Sequence, residues 1–280
     1  MKTRIISGAA ALALLAAVML LGARAIGLAV FALALVGVYE YNNAIKSGGY
    51  KPVHALGYIS CLPLLYPALT GESPSALLAD SPLSFTGYVS LSLFLLVVIV
   101  FCLMIFSDGK YNLADLSVTL FGILYVPFLI SFVTLTRNLE NGYLYIWLIF
   151  MGGWVTDTFA YFTGVTLGRT KILPKVSPKK SLEGSIGGII GCSAAMAAFG
   201  ALLGNLLGDV PLYHFIVLGV LCGIISQVGD WAASAIKRFV NIKDYGKIMP
   251  GHGGVLDRID SILFVAPAVY FYLCLFIGQA

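Results

Sequence analysis

The side chains able to do chemistry gather near one end of this chain. Residues 234–260 read SAIKRFVNIKDYGKIMPGHGGVLDRID and include Ser234, Lys237, Arg238, Lys243, Asp244, Lys247, His252, Asp257, Arg258 and Asp260. Asp257 and Asp260 are three apart, so on a helix they share a face with Cβ atoms about 5–6 Å apart. Two carboxylates so close repel unless a cation or a proton sits between them. Oxygen-only ligands of this kind suit Mg²⁺, which keeps waters and usually also binds substrate phosphate. A lone DxxD is common on solvated helix faces; here the neighbours strengthen it. Gly253 and Gly254 follow Pro250, Gly251 and His252. Glycines adopt φ > 0 and let backbone N–H groups approach an anion, so before a helix start they resemble a phosphate cradle. His252 could donate a hydrogen bond or act as an acid, although a lone His is more often structural.

Three further groups belong with that stretch. Asp230, in SQVGDWAASAIKR, is followed on one helical face by Ser234, Lys237 and Arg238 and preceded on it by Ser226. A snorkelling charge cluster explains the cations but fits the acid poorly. Asp157 lies midway along an apolar run, where a carboxylate costs roughly 2.5–3.5 kcal/mol on insertion scales. It should face the bundle interior, with Tyr161 and Gly164 on its face; the alternative is a hydrogen bond that merely joins two helices. Lys179, Lys180, Ser181 and Glu183 precede GSIGGIIG, whose Gly184/Gly188 and Gly187/Gly191 pairs have the spacing of close helix contact. The two lysines are either ordinary interfacial cations or a grip on polyphosphate or a lipid head group.

The elements that must hold these residues are membrane helices. The chain is 59% hydrophobic and only 11% charged, against about 25% charged in soluble domains. With a mean hydropathy of +0.94, it reads as an all-α, polytopic integral membrane protein. Nine candidate spans of suitable length occur at 5–21, 25–41, 54–70, 86–106, 113–135, 143–165, 184–207, 211–231 and 259–278. The first reads as a retained span longer than a signal-peptide core, despite the cleavage-like GARA after it. Pro127 in the fifth is tolerable as a kink. A cytoplasmic N-terminus puts every Lys and Arg except Arg24 and Arg137 on the cytoplasmic side, as the positive-inside rule requires. The net charge of +4 is thereby explained without nucleic acid. The five cysteines all lie in apolar runs without CxxC spacing and read as small buried hydrophobes. No repeat or linker divides residues 1–280, so one membrane domain is expected: scaffold spans over 1–135, and a catalytic half over 136–280 with cytoplasmic loops at 167–185 and 232–258.

Carboxylates for a divalent metal, and glycines and cations for phosphates, all at the rim of greasy helices, point to a soluble nucleotide and a phosphorylated lipid as the substrate pair. The chemistry is phosphoryl or nucleotidyl transfer, in which positioning and charge neutralisation do most of the catalysis. A transporter would place its acids at mid-depth in matched halves, and no half-to-half symmetry is visible.

Residues 234–260 resemble the signature of the phosphatidate cytidylyltransferase (CDP-diacylglycerol synthase) family: S-x-x-K-R, K-D, and Pro-x-His-Gly-Gly ending in D-R-x-D. Met249 is a conservative departure from it. SPKKSLEGSIGG (177–188) and DTFAYFTG (157–164) are similar to further motifs of that family. The resemblance implies transfer of CMP from CTP to phosphatidate, with release of pyrophosphate. It implies metal ligation by Asp257 and Asp260 with Asp230 opposite, and phosphate neutralisation by Lys237, Arg238, Lys243 and Arg258. Lys179, Lys180 and Ser181 would hold nucleotide or lipid phosphate; Ser234, Asp244, His252, Gly253, Gly254 and Asp157 would contribute to substrate binding. Mg²⁺ dependence, K⁺ as an assisting ion and a homodimer are also implied. A CTP-dependent lipid kinase would share the metal and nucleotide logic, and only the signature separates it.

Overall fold

Inside hydrocarbon every backbone N–H and C=O must bond within its own segment, so long apolar runs joined by short polar links fold as helices. The structure, a computed structural model, describes residues 13–72, 85–208, 210–248 and 253–278. In chain order the helices are α1 (Ala23–Ser47), α2 (His54–Ile59), α3 (Leu65–Thr70), α4 (Phe85–Phe106), α5 (Leu113–Arg137), α6 (Gly142–Thr166), α7 (Leu182–Leu203), α8 (Leu212–Phe239) and α9 (Leu256–Ile277). The first expected span lies partly outside the described residues; 13–20 are helical. Six of the described helices are long and apolar enough to cross a bilayer: α1, α4, α5, α7, α8 and α9. The 25-residue α6 is as long, but Asp157 and several threonines dilute its apolar character.

Two expectations need correction. The third span, 54–70, is not one helix but two short ones joined by the 3₁₀ turn Leu62–Leu64. Pro63 and Pro67 lack the N–H that a continuous helix would use there. The broken segment still runs back along α1, with Gly57 against Val38 and Asn42, and Pro67 and Ala68 against Gly27. The 167–185 link is not wholly a loop either. Strands β1 (Lys171–Leu173) and β2 (Ser177–Ser181) pair antiparallel in a small hairpin before α7. Pro127 is absorbed by a π-helical stretch, Leu124–Phe128, and α5 continues beyond it.

Helices α6, α7, α8 and α9 pack in succession, with α1 and α5 against α9. Small residues permit the close approaches. A Cβ on Gly219 would lie 2.5 Å from the Cα of Ser193, and one on Gly188 would lie 3.0 Å from the carbonyl oxygen of Thr156. The glycines expected to bring helices together do so, by joining α7 to α6. Helix α8 buries Phe215, Leu218, Cys222, Gln227 and Ala233 and exposes Ile216, Val217, Val220, Ile224 and Val228 on the opposite face. Such a stripe has no place in water, and the protein is membrane-embedded. Cys61, Cys192 and Cys222 are buried as expected, Cys274 is half-buried, and Cys102 on α4 is exposed.

The alternation of helices gives the bundle two unlike ends. One carries Lys46, Lys51, Lys110, the hairpin and residues 240–248 and 253–255; the other holds Arg24 and Arg137. Because a Gly219 side chain would meet backbone rather than a flexible tip, Gly219→Val should destabilise the bundle by about 1–3 kcal/mol. Thermal unfolding in detergent should show this as a lowered midpoint, with no comparable change for Val220→Leu on the lipid-facing stripe.

Candidate active site

The acids of α6, α8 and α9 meet at the hairpin end because the three helices touch through glycines. Gly229, beside Asp230, sits so near α9 that a Cβ there would lie 2.7 Å from the carbonyl oxygen of Asp260. Gly153, one turn before Asp157, faces Ser261 and Ile262 in the same way. As a result Asp157 and Asp260 each lie in the electric field of Asp230 and of one another. Asp260 is buried, and one of its oxygens accepts the Ser261 N–H at 2.8 Å. Ser261 stands near Asp157, and Gly153 of the same helix as Asp157 packs against the Ser261 hydroxyl. Asp230 Oδ2 is buried against the ammonium of Lys180, with which it forms an ion pair.

Asp257 has a different environment. Its Oδ1 lies 2.7 Å from Lys237 Nζ, and its Oδ2 accepts the N–H groups of Tyr245 at 2.8 Å and Gly254 at 3.0 Å. It therefore ties Tyr245 and Gly254 to the start of α9. Lys237 belongs to both groups of acids, since it also attracts Asp260, and it sits 5.3 Å from the centre of the Tyr245 ring. Tyr245 is buried, its hydroxyl 3.4 Å from the carbonyl oxygen of Ala233, and burial pushes its phenol well above the ordinary range.

The remaining expected residues surround this centre. Ser181 caps α7, accepting the Gly184 N–H at 3.2 Å, and Glu183 accepts the N–H groups of Arg169 at 3.0 Å and Thr170 at 3.1 Å. Arg238 donates to the carbonyl oxygens of Val176 at 3.4 Å and Ile242 at 3.2 Å, holding the hairpin against the end of α8. Lys179, Lys243, Asp244 and Arg258 are exposed, and Ser234 is half-buried. Gly253 has the positive φ, 86°, expected of a backbone turn that only glycine adopts freely. His252 lies outside the described residues. Tyr161, expected beside Asp157, instead points outward and is 65% exposed. Among the described residues no three His, Cys, Asp or Glu side chains are grouped closely enough to enclose a metal ion.

Two residues of the site were not foreseen. Gln227, buried on α8 between the acid cluster and the glycines of α7, donates to the carbonyl oxygens of Ser185 at 3.1 Å and Gly223 at 2.8 Å. Glu40, from α1, is buried and accepts the N–H groups of Val255 at 3.0 Å and Leu256 at 2.8 Å. A Cβ on Gly254 would lie 2.5 Å from a Glu40 oxygen, so that glycine makes room for the carboxylate. The one signal in the sequence was an acid inside an apolar run, which an intramembrane position makes costly.

The chain is similar to known proteins over nearly its whole length. A family profile described as "Cytidylyltransferase family" matches residues 2–276. The chain is 30% identical over 277 residues to the phosphatidate cytidylyltransferase of Bacillus subtilis (strain 168), covering 99% of this chain and 98% of that protein. It is 31% identical over 267 residues to that of Staphylococcus saprophyticus, at 95% and 96% coverage. It is 33% identical over 208 residues to that of Thermotoga maritima, at 74% and 73%.

The two ion pairs should differ in strength. The side chains of Lys237 and Asp257 are 12% and 4% exposed, those of Lys180 and Asp230 30% and 23%. Lys237→Met strands a buried carboxylate and should cost about 3–5 kcal/mol. Lys180→Met leaves an acid that water can reach and should cost about 1 kcal/mol or less. Thermal midpoints of the two variants in the same detergent check the order.

Proposed function

The chain belongs to the cytidylyltransferase family, and on that premise we propose that the cluster of Asp157, Asp230 and Asp260, with Lys180 and Lys237, is its catalytic centre. The activity is that of a phosphatidate cytidylyltransferase: CMP passes from CTP to phosphatidate, giving CDP-diacylglycerol and pyrophosphate. The observation that carries the placement is the meeting of three carboxylates and two lysines at one end of an otherwise apolar bundle. A phosphate oxygen of phosphatidate forms a bond to the α-phosphorus of CTP, and the bond from that phosphorus to the β-phosphate bridging oxygen breaks. The nucleophile is already an anion, so no base need abstract a proton. What opposes the reaction is repulsion between two polyanions.

The residues of this chain meet that repulsion with fixed positive charge. Lys237 is held by Asp257 beside Asp260, and Lys180 lies against Asp230. Each is placed to neutralise a phosphate oxygen at little reorganisation cost. The exposed Lys179, Lys243 and Arg258, with Arg238 at the hairpin, guide the nucleotide and the lipid head group in. Asp230 and Asp260 fit Mg²⁺: the donors are all oxygen, like-charged acids held together favour a cation, and Mg²⁺ needs only one or two carboxylates when substrate phosphates and waters complete its shell. Bound there, the ion would supply Lewis-acid polarisation of the phosphoryl oxygens. Asp157 adds negative charge behind them. Asp257, its oxygens already engaged by Lys237 and two backbone N–H groups, serves this reading through Lys237. K⁺ as an assisting ion and a homodimer belong to the same proposal.

The site is assigned to the cytoplasmic side, along with the N-terminus. What supports this is the charge of the two ends: the hairpin end gathers the lysines and the opposite end keeps Arg24 and Arg137. CTP is a cytosolic solute, which fits that side.

Purified protein given labelled CTP and phosphatidate should release pyrophosphate and form CDP-diacylglycerol, and chelation of divalent metal should stop both. Release of CDP instead would indicate a kinase. Asp230→Asn and Asp260→Asn should each lower kcat by about 10³-fold or more, a loss of about 4 kcal/mol in transition-state stabilisation, while the protein stays folded. Near-normal turnover in both variants removes the acids from the centre.

A further inference from the structure

The start of α9 is capped from the far end of the sequence. Val255 stands at the helix N-cap and offers no side-chain acceptor, so the first N–H groups of α9 need partners from elsewhere. Glu40 supplies them: one oxygen takes the Val255 N–H at 3.0 Å and the other takes the Leu256 N–H at 2.8 Å. The residue is 2% exposed, and among the described residues it forms no ion pair. Its charge is met by the positive end of the helix. Two glycines close around it: a side chain on Gly246 would collide with its carboxylate, as would one on Gly254. Glu40 thus bonds the start of α9 and packs against Gly246 before it.

Resting on the activity argued above, we infer that Glu40 is a positioning residue for the reaction, acting through α9 on Asp257 and Asp260. Both of its oxygens are engaged by backbone N–H groups, so it acts through the backbone it holds. What it fixes is the point at which α9 begins. Asp257 lies one residue beyond Leu256 and Asp260 four, so the capped turn carries both acids. A helix has about 3.6 residues per turn, so Asp257 lies within the capped turn and Asp260 about one turn in; if that turn frays, both carboxylates lose their fixed positions relative to Lys237 and Asp230. Misplacement of about 1 Å at a reacting centre costs up to about 100-fold in rate.

Glu40→Gln keeps the size of the side chain but turns an amide N–H₂ toward one of the two N–H donors. Glu40→Asp keeps both acceptors on a shorter reach. Full-length protein in detergent or nanodiscs is assayed for kcat and for the KM of CTP and phosphatidate, corrected for the folded fraction, and hydrogen–deuterium exchange is followed in peptides covering 253–262. For Glu40→Gln the expected result is a kcat about 10- to 100-fold lower, both KM values within about threefold of wild type, and faster exchange confined to the start of α9. Glu40→Asp should fall between that variant and wild type. An unchanged kcat per folded molecule, a defect in KM alone, or exchange that rises across the whole bundle overturns the inference, because each describes a merely structural glutamate. A wild-type protein that makes no CDP-diacylglycerol overturns the activity reading; exchange at 253–262 then still decides whether Glu40 anchors α9.

Discussion

Charge survives inside an apolar bundle only where opposite charge or backbone dipoles are held against it. Three acids at the hairpin end show that constraint. Asp257 has Lys237 and two N–H groups, Asp230 has Lys180, and Glu40 has the first two N–H groups of α9. The constraint decides where the polar groups sit: at one end, where a few cations can reach them and where water and solute phosphates can also come. The rest of the bundle is left to apolar packing, with Ile146, Leu148, Ile149, Leu263 and Val265 among its buried side chains.

Close packing and chemistry are coupled through small residues. Gly229 and Gly153 let α8 and α6 approach α9 next to Asp230 and Asp157. Gly184, Gly188 and Gly219 bring α7 against α6 and α8. A side chain at these places would meet backbone or neighbouring hydroxyls and push the helices apart, spreading the carboxylates. In lipid, where no hydrophobic force draws helices together, close van der Waals contact of this kind is a main source of association. The same glycines therefore serve stability and the centre at once.

The 234–260 stretch does two jobs that its sequence does not separate. Lys237 and Arg238 are in the last turn of α8, where cations suit the helix C-terminus. Arg238 is occupied with carbonyl groups of the hairpin and of the turn that follows, whereas Lys237 faces the acids. Asp257 and Asp260, alike by spacing, differ by environment. One is an anchor for the preceding segment; the other lies among the acids of neighbouring helices. Residues near one another on a helix thus take different partners according to what packs beside them.

Much of this protein was legible in its order of residues. Apolar runs of bilayer length dictate helices, because hydrocarbon offers backbone groups no other partner. The charge difference between the links marked one end of the bundle as distinct, and GSIGGIIG announced a tight helix contact that α7 makes with α6. Signature residues at 157–164, 177–188 and 234–260 named the family. Other features depended on contacts between residues far apart in the chain. Spacing grouped Asp257 with Asp260, since periodicity speaks only of one helix; the junction of α6, α8 and α9 placed Asp157 beside Asp230 and Asp260 instead. Helical periodicity put Tyr161 with Asp157, yet its side chain turned outward. Glu40 looked like an isolated acid in a scaffold span because its partners lie more than two hundred residues away, and no local pattern records a hydrogen bond across that distance. Sequence order fixes which segments must be helical and which groups are costly to bury, since those are properties of each segment in lipid. Which costly groups meet is a property of how the segments pack, and only the tertiary structure holds it.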